Sequence, residues 1–388
     1  MTASTGATPQ QYPRIRVRGS AAARAHQYGA AAAPQIRIIR DGYERAFAAK
    51  GIDWAAAVST ARSYLPAIET HLPLLLDEIR GIAAGSGLGF DDILTINCRT
   101  EILNGATAAG AVRAAGKAAG ECTSFALEAD RTAWGTPGVG QNWDWLESLQ
   151  RGAIVLEVER TDGPNYVTLV EAGLLAKMML TATGLAVGIN TLVSSLDGAV
   201  QGVPFHFMIR ALADAEHVPA ALESLARFPR ASSGNYVFAG ADGAVLNVET
   251  APGDAAGVRA QLSDTGAVAH SNHFIDPVAG GHDLAPLALA DSYFRLGRIT
   301  RSVVQRTSPV TEDELRTALS DHAGYPNSVC CHPDTAASPD SRWKTLATVL
   351  LRPSERTLTY AAGPACEHAW ETIDYSEFLR ARPVLPAA

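Results

Sequence analysis

Cys122 has the setting most suited to chemistry. It follows residues 105–120 (GATAAGAVRAAGKAAG), which hold four glycines in sixteen positions and no large apolar side chain. Such a segment has little to bury, and it predicts a flexible, exposed connector of the kind where chains are most easily cut. A cut between Glu121 and Cys122 gives Cys122 a free α-amine. An α-amine with a pKa of about 7.7–8.0 and a thiol of about 8.5 are well matched for proton transfer, so one residue carries both nucleophile and general base. The cut can be self-made: the thiol attacks the preceding carbonyl and water opens the resulting thioester.

Each candidate also has a plainer reading. A lone cysteine is most often a buried structural thiol. Asp144, between Trp143 and Trp145, reads equally as a turn residue or ion-pair partner, and Asn272 as a turn cap. His270 and His273 lie three apart with no Cys or carboxylate at zinc spacing, so the sequence predicts no metal. His332-Pro333-Asp334, after Cys330 and Cys331, reads as a loop, and Cys98 as a core residue. Gly85-Ser86-Gly87-Leu88-Gly89 follows a helix and lacks dinucleotide spacing. Ser232-Ser233-Gly234 lacks the first glycine of a serine nucleophile elbow.

The elements that position these residues change character along the chain. Leu72, Leu75, Leu76 and Ile79 form one helical stripe. A helix over Ile93 to Leu103 is expected, capped by Asp91 or Asp92. Beyond the connector, residues 152–160, 166–171 and 177–183 read as strands. Residues 236–239 and 244–249 read as a hairpin, as does the stretch from Leu346 through Pro353 to Tyr360. Helices fit 204–215, 218–228, 290–306 and 312–321, the last opening with a Thr311-x-x-Glu314 capping box. Strands in adjacent pairs favour antiparallel sheets with helices on their outer faces, an α+β class.

Composition bounds the function. The 388 residues are 47% hydrophobic with a net charge of −8. No basic block suggests nucleic acid or an anionic membrane. No run approaches a membrane span, and the first ten residues lack a signal peptide's charged start and apolar stretch. Five cysteines, two of them adjacent, disfavour a disulfide scaffold. A cytoplasmic protein is the expectation.

Four blocks together resemble the acyl-CoA:isopenicillin N acyltransferase family of cysteine Ntn-hydrolases. They are Cys122-Thr123-Ser124-Phe125, Gln141-Asn142-Trp143-Asp144, Gly188-Ile189-Asn190-Thr191 and His270-Ser271-Asn272-His273-Phe274, followed by Ser341-Arg342 and the last hairpin. The resemblance implies a four-layer αββα fold of two antiparallel sheets. It also implies self-cleavage into 1–121 and 122–388, two pieces that stay associated as one domain, with a higher oligomer open. It makes Cys122 the nucleophile, Asp144 the acid beside it, Asn272 the oxyanion donor and Arg342 a basic residue that pairs with Asp144 or with a substrate carboxylate. Asn142, Asn190 and Ser341 become substrate-side polar groups. One departure stands out: the family has Gly where this chain has Glu121.

The implied activity is cleavage or formation of a small amide C–N bond, without cofactor, on an amide or acyl-donor substrate. Acyl transfer from acyl-CoA to a β-lactam or other amine is the close alternative. An unprocessed binding protein, or a Cys–His thiol enzyme that is never cut, are the others.

Overall fold

The computed structural model describes residues 11–111 and 121–380. Its centre is two sheets. The first has eight strands in the spatial order β1 (Arg14–Gly19), β4 (Ala153–Arg160), β5 (Tyr166–Glu171), β6 (Met178–Thr181), β7 (Leu185–Thr191), β8 (Gly234–Gly240), β9 (Val245–Thr250) and β10 (Val258–Gln261). The second has six: β11 (Ala267–His270), β2 (Glu121–Leu127), β3 (Gly138–Leu146), β12 (Trp343–Arg352), β13 (Thr357–Ala361) and β14 (Trp370–Asp374). All pairings are antiparallel except β1 with β4.

The sheets face each other, with β2 and β3 packed on β7 and β8. Helices Ala21–Ala31 and Ala33–Ala48 cover the outer face of the first sheet beside β1, β4 and β5, and Val218–Arg227 lies on β8 and β9. Helices Asp291–Ile299 and Glu312–Leu319 cover the second sheet, where Phe125, Leu127 and Leu350 pack against Ile299, Val303, Leu315 and Leu319. The result is the αββα order that the resemblance implied. With neighbours on both faces, β3, β5, β7, β8 and β9 are buried at every residue, so polar and apolar positions do not alternate as in a half-solvated sheet. Gly140 shows how tight the packing is: a Cβ there would lie 2.1 Å from Phe125 Cζ on the paired strand.

Both expected hairpins form, β8 with β9 and β12 with β13. The Thr311–Glu314 capping box closes in both directions. Elsewhere the structure corrects the expectation. Ile93 to Leu103 is not one helix: Phe90–Asn97 and Arg99–Ala106 meet at a break on the buried Cys98. Neither Asp91 nor Asp92 is the cap. Gly89 is, and Asp92 reaches back from the first turn to accept from Gly89 N at 3.0 Å, while Asp91 pairs with Arg62. The Ala/Gly segment begins as helix: Gly105 and Ala106 close the helix from Arg99, and a wider turn over Thr107–Ala111 follows, broken by Gly110 at a left-handed φ of 88°; residues 112–120 of that segment lie outside the described ones.

The break at Cys98 turns Arg99 and Glu101 inward. Glu101 Oε1 accepts from Phe205 N and Ser232 Oγ, both at 2.8 Å, and Oε2 has no partner among the described residues. Burial raises this carboxyl to about 7. Between the unfolded value near 4.5 and that folded value, the folded chain keeps a proton that the unfolded chain has released. Stability therefore falls as pH rises through this window, by up to about 1.4 kcal/mol per pH unit. Glu101→Gln is expected to flatten that slope, read as urea midpoints at about pH 5 and about pH 7.5; an unchanged slope would place the titration elsewhere.

Candidate active site

Cys122 is the second residue of β2, and its thiol is buried. Its main chain is held on both sides. The backbone N–H donates to Asn272 Oδ1 at 2.6 Å, and the carbonyl accepts from Arg295 Nη1 at 2.8 Å and Asn190 Nδ2 at 3.2 Å. Arg295 also reaches Thr123 Oγ1 at 3.2 Å and Asn272 Oδ1 at 3.0 Å. Helix Asp291–Ile299 thus fixes the start of β2 from outside the sheet. Its Ser292 fixes the other partner by accepting from Asn272 N at 2.7 Å.

Register pairs Cys122 with Trp143 and Glu121 with Asp144. Directly opposed residues share a face of the sheet. Cys122 and Trp143 therefore look toward the first sheet, where Lys177 Nζ sits 3.9 Å from the Trp143 ring centre. Lys177 donates to Glu171 Oε2 at 2.9 Å; Arg99 reaches the same oxygen at 3.3 Å, and Tyr43 bonds Oε1. Burial opposes the Glu171 charge, yet Arg99 and Lys177 hold its pKa at about 2. Burial, opposed by Glu171, lowers Lys177 to about 8. Of this cluster, Lys177 is the group whose charge acts on Cys122. Burial is nevertheless the largest influence on the thiol and pushes it up to about 11, with Lys177 and Arg295 pulling down and Asp144 pushing up. In the uncut chain, burial therefore favours the thiol over the thiolate.

The residues named from the sequence are only partly brought together. Asn190 is at the site, with Oδ1 accepting from Ser124 Oγ at 2.6 Å and Asn235 Nδ2 at 3.0 Å. Asn272 is there with its amide the other way round from an oxyanion donor. Its oxygen faces two donors, Cys122 N and Arg295, and its Nδ2 is given to Thr191 O at 2.8 Å; only that orientation satisfies all three partners. The backbone N–H of Asp144 points at the Cys122 sulfur, while its carboxylate lies on the opposite face of the sheet and accepts from Thr345 Oγ1 at 2.5 Å.

Arg342 does not pair with Asp144. It sits in the loop before β12, and its guanidinium donates to the carbonyls of Ala337 and Thr335 at 3.1 and 3.3 Å. Ser341 is exposed and bonded to Ser338 in its own turn. Asn142 shares the outer face with Asp144, and its Nδ2 ties Leu319 O and Val329 O at 2.8 and 2.7 Å, so it holds a loop and does not line the thiol.

The profile of the acyl-coenzyme A:6-aminopenicillanic acid acyl-transferase family matches residues 133–365. The chain belongs to this family. A curated relative, the acyl-coenzyme A:6-aminopenicillanic-acid-acyltransferase 40 kDa form of Emericella nidulans, is 25% identical over 261 residues, 66% of this chain and 67% of its own length. Among solved structures, a mutant of the conjugated bile acid hydrolase from Clostridium perfringens is similar at 12% identity, covering 67% of this chain and 94% of its own, with a TM-score of 0.39. Penicillin V acylase from Agrobacterium tumefaciens is similar at 13% identity over 68% of this chain and 81% of its own, with a TM-score of 0.34.

The matched residues contain three of the four sequence blocks, all but Cys122–Phe125, and the blocks omit two cations. Lys177 opens an apolar strand segment, which is an unusual place for a lysine. Arg295 shares the buried face of its helix with Ser292 and Ile299. A charged residue at that i, i+3, i+7 position was the available signal.

Proposed function

We propose that this chain is a self-processing cysteine enzyme that breaks or makes small amide C–N bonds through a thioester on Cys122. The observation that carries the reading is the pair of anchors on the Cys122 main chain. The nitrogen that would become the α-amine already has Asn272 Oδ1 as acceptor, and the carbonyl is clamped by Arg295 and Asn190. In processing, Cys122 Sγ attacks the Glu121 carbonyl, the C–N bond breaks, and water hydrolyses the thioester. In turnover, the α-amine takes the thiol proton as sulfur attacks the substrate carbonyl and passes it to the leaving amine. Asn190 is the side-chain amide that presents N–H to Cys122, and it is the first candidate to hold the oxyanion. Water resolves the thioester in an amidase, an acceptor amine in an acyltransferase, and acyl-CoA loads it in the transfer direction.

The piece before Cys122 is built into the fold, which supports two pieces that stay together after a cut. It supplies edge strand β1, Arg24 and Glu78 against Arg210 of the later piece, and Arg99 against its Glu171. Five free cysteines favour a reducing compartment such as the cytoplasm. Among the described residues, no helix is long and apolar enough to cross a membrane.

Intact mass of the expressed full chain under denaturing conditions, with N-terminal sequencing, tests the proposal. Two pieces are expected, the larger beginning Cys-Thr-Ser-Phe, and turnover on a panel of N-acyl amines or on acyl-CoA with 6-aminopenicillanic acid. Glu121→Gly is expected to speed the cut, because glycine admits the distorted backbone of an N-to-S shift. A single chain with an unreactive Cys122 would replace this reading with that of a binding protein on the same fold.

A further inference from the structure

His322, Cys330 and His332 share one loop while Cys366 lies in another, and the spacing matches no familiar metal motif. The fold brings them to one point. Each offers one ligand atom, and the four atoms lie within 4.8 Å of one another. The two sulfurs are 3.6 Å apart, His332 Nε2 is 3.6 Å from Cys330 Sγ and 3.4 Å from Cys366 Sγ, and the two Nε2 atoms are 3.1 Å apart. A tetrahedral zinc with Zn–S of about 2.3 Å and Zn–N of about 2.05 Å sets S···S at about 3.8, S···N at about 3.6 and N···N at about 3.3 Å. Four of the six edges of that tetrahedron agree to within about 0.2 Å. The two remaining edges both involve His322, an exposed residue whose ring would have to turn to close them.

Hydrogen bonding alone explains the cluster poorly. His332 Nδ1 lies 3.3 Å from Glu367 Oε1, which assigns the ring proton to Nδ1 and leaves a lone pair on Nε2 facing two sulfurs and another imidazole. A carboxylate behind a histidine is also the usual orienting partner of a zinc ligand. A disulfide is absent, since the sulfurs stand well beyond the bonded distance of about 2.05 Å. Cys330 and His332 are buried, while His322 and Cys366 open to solvent and give an ion its entry.

We propose that His322, Cys330, His332 and Cys366 form a structural zinc site, revising the sequence expectation of no metal. Two sulfurs and two imidazoles in a tetrahedron are a zinc donor set, and four protein ligands leave no open position for catalysis. Binding converts two thiols to thiolates, releases two protons, and leaves a neutral Zn(II)–dithiolate–bis(imidazole) centre. The ion would tie the loop carrying His322, Cys330 and His332 to the connection between β13 and β14 that carries Cys366. That loop also reaches the candidate active site. Cys331 N donates to Thr345 Oγ1 at 3.0 Å, Thr345 Oγ1 donates to Asp144 at 2.5 Å, and Val329 O accepts from Asn142. Only this positioning of Asp144 rests on the proposed catalytic reading; the metal site stands apart from it.

The test loads the purified full chain with Zn(II) under reducing conditions, desalts it, and measures metal by mass spectrometry. About one zinc per chain is expected, retained in Cys122→Ala and lost in the Cys330→Ala, Cys366→Ala double variant. Cobalt substitution should give tetrahedral d–d absorption with thiolate charge transfer. Should the double variant fail to fold, exposed His322→Ala keeps the test open: with an unchanged circular dichroism spectrum, zinc affinity against a competing chelator should fall at least about tenfold. No retained zinc, zinc lost with Cys122→Ala, unchanged affinity in His322→Ala, or a Cys330–Cys366 disulfide in the zinc-treated protein would each overturn the site. Because metal content is read independently of cleavage and turnover, failure of the catalytic reading leaves this result interpretable.

Discussion

Cys122→Ala is expected to yield a single uncut chain with no measurable turnover. The substitution removes only the sulfur from a buried position, so the fold should survive at a cost of about 1 kcal/mol. The backbone contacts to Asn272, Arg295 and Asn190 do not involve the side chain and should persist. Both reactions would nevertheless lose their nucleophile, and removing the nucleophile of a comparable covalent enzyme costs about 10⁶ in turnover. Cys122→Ser separates the steps. Its hydroxyl is a far weaker nucleophile than a thiolate, so slow cutting with little turnover is expected. Gel and intact-mass time courses read the cut, and product formation reads the turnover. A cut at the same bond in Cys122→Ala would assign processing to another protease, and an active Cys122→Ala would remove Cys122 from the mechanism.

What could be read in the sequence follows the range of the interactions involved. The hairpins β8–β9 and β12–β13 are local and bounded by turn residues, and both formed where expected. The Thr311 capping box needs three residues and was equally legible. The break at Cys98 was not, because no glycine or proline marks it; it follows from turning Arg99 and Glu101 toward partners some seventy to a hundred residues away. At the site, Cys122 stood out because a cysteine beside a glycine-rich connector is unusual. Lys177, Glu171 and Arg99 did not, since a single charged residue in an apolar segment looks like a solvated edge until a second sheet covers it. The basic residue assigned to Arg342 is a related case. That side chain belongs to a loop, and the cation at Cys122 comes from the helix over the opposite part of the sheet. A linear motif records neighbours in the chain, whereas charge compensation in a buried site is settled by layers that meet only after folding.

Arg295 is accordingly expected to matter more than its absence from the sequence blocks suggests. It is fully buried, pairs with Asp291 at 3.0 Å, and divides its remaining donors between Cys122 O, Thr123 Oγ1 and Asn272 Oδ1. Arg295→Met keeps much of the bulk but removes the charge and the fork. The Cys122 carbonyl then keeps Asn190 as donor, and Asn272 keeps Cys122 N, so the nucleophile loosens. A displacement of about 1 Å at a reacting atom costs about 10²-fold, and kcat is expected to fall by that order with KM little changed. The charge supplies a second readout. Arg295 pulls the Cys122 thiol pKa down, so its loss moves thiol alkylation, and the acidic limb of kcat/KM, to higher pH. Arg295→Lys restores the charge without the planar fork, so it should recover the pH profile more fully than the rate. A drop in kcat with the acidic limb unmoved would make Arg295 a packing residue only, and an unaffected rate would detach the helix Asp291–Ile299 from the chemistry altogether.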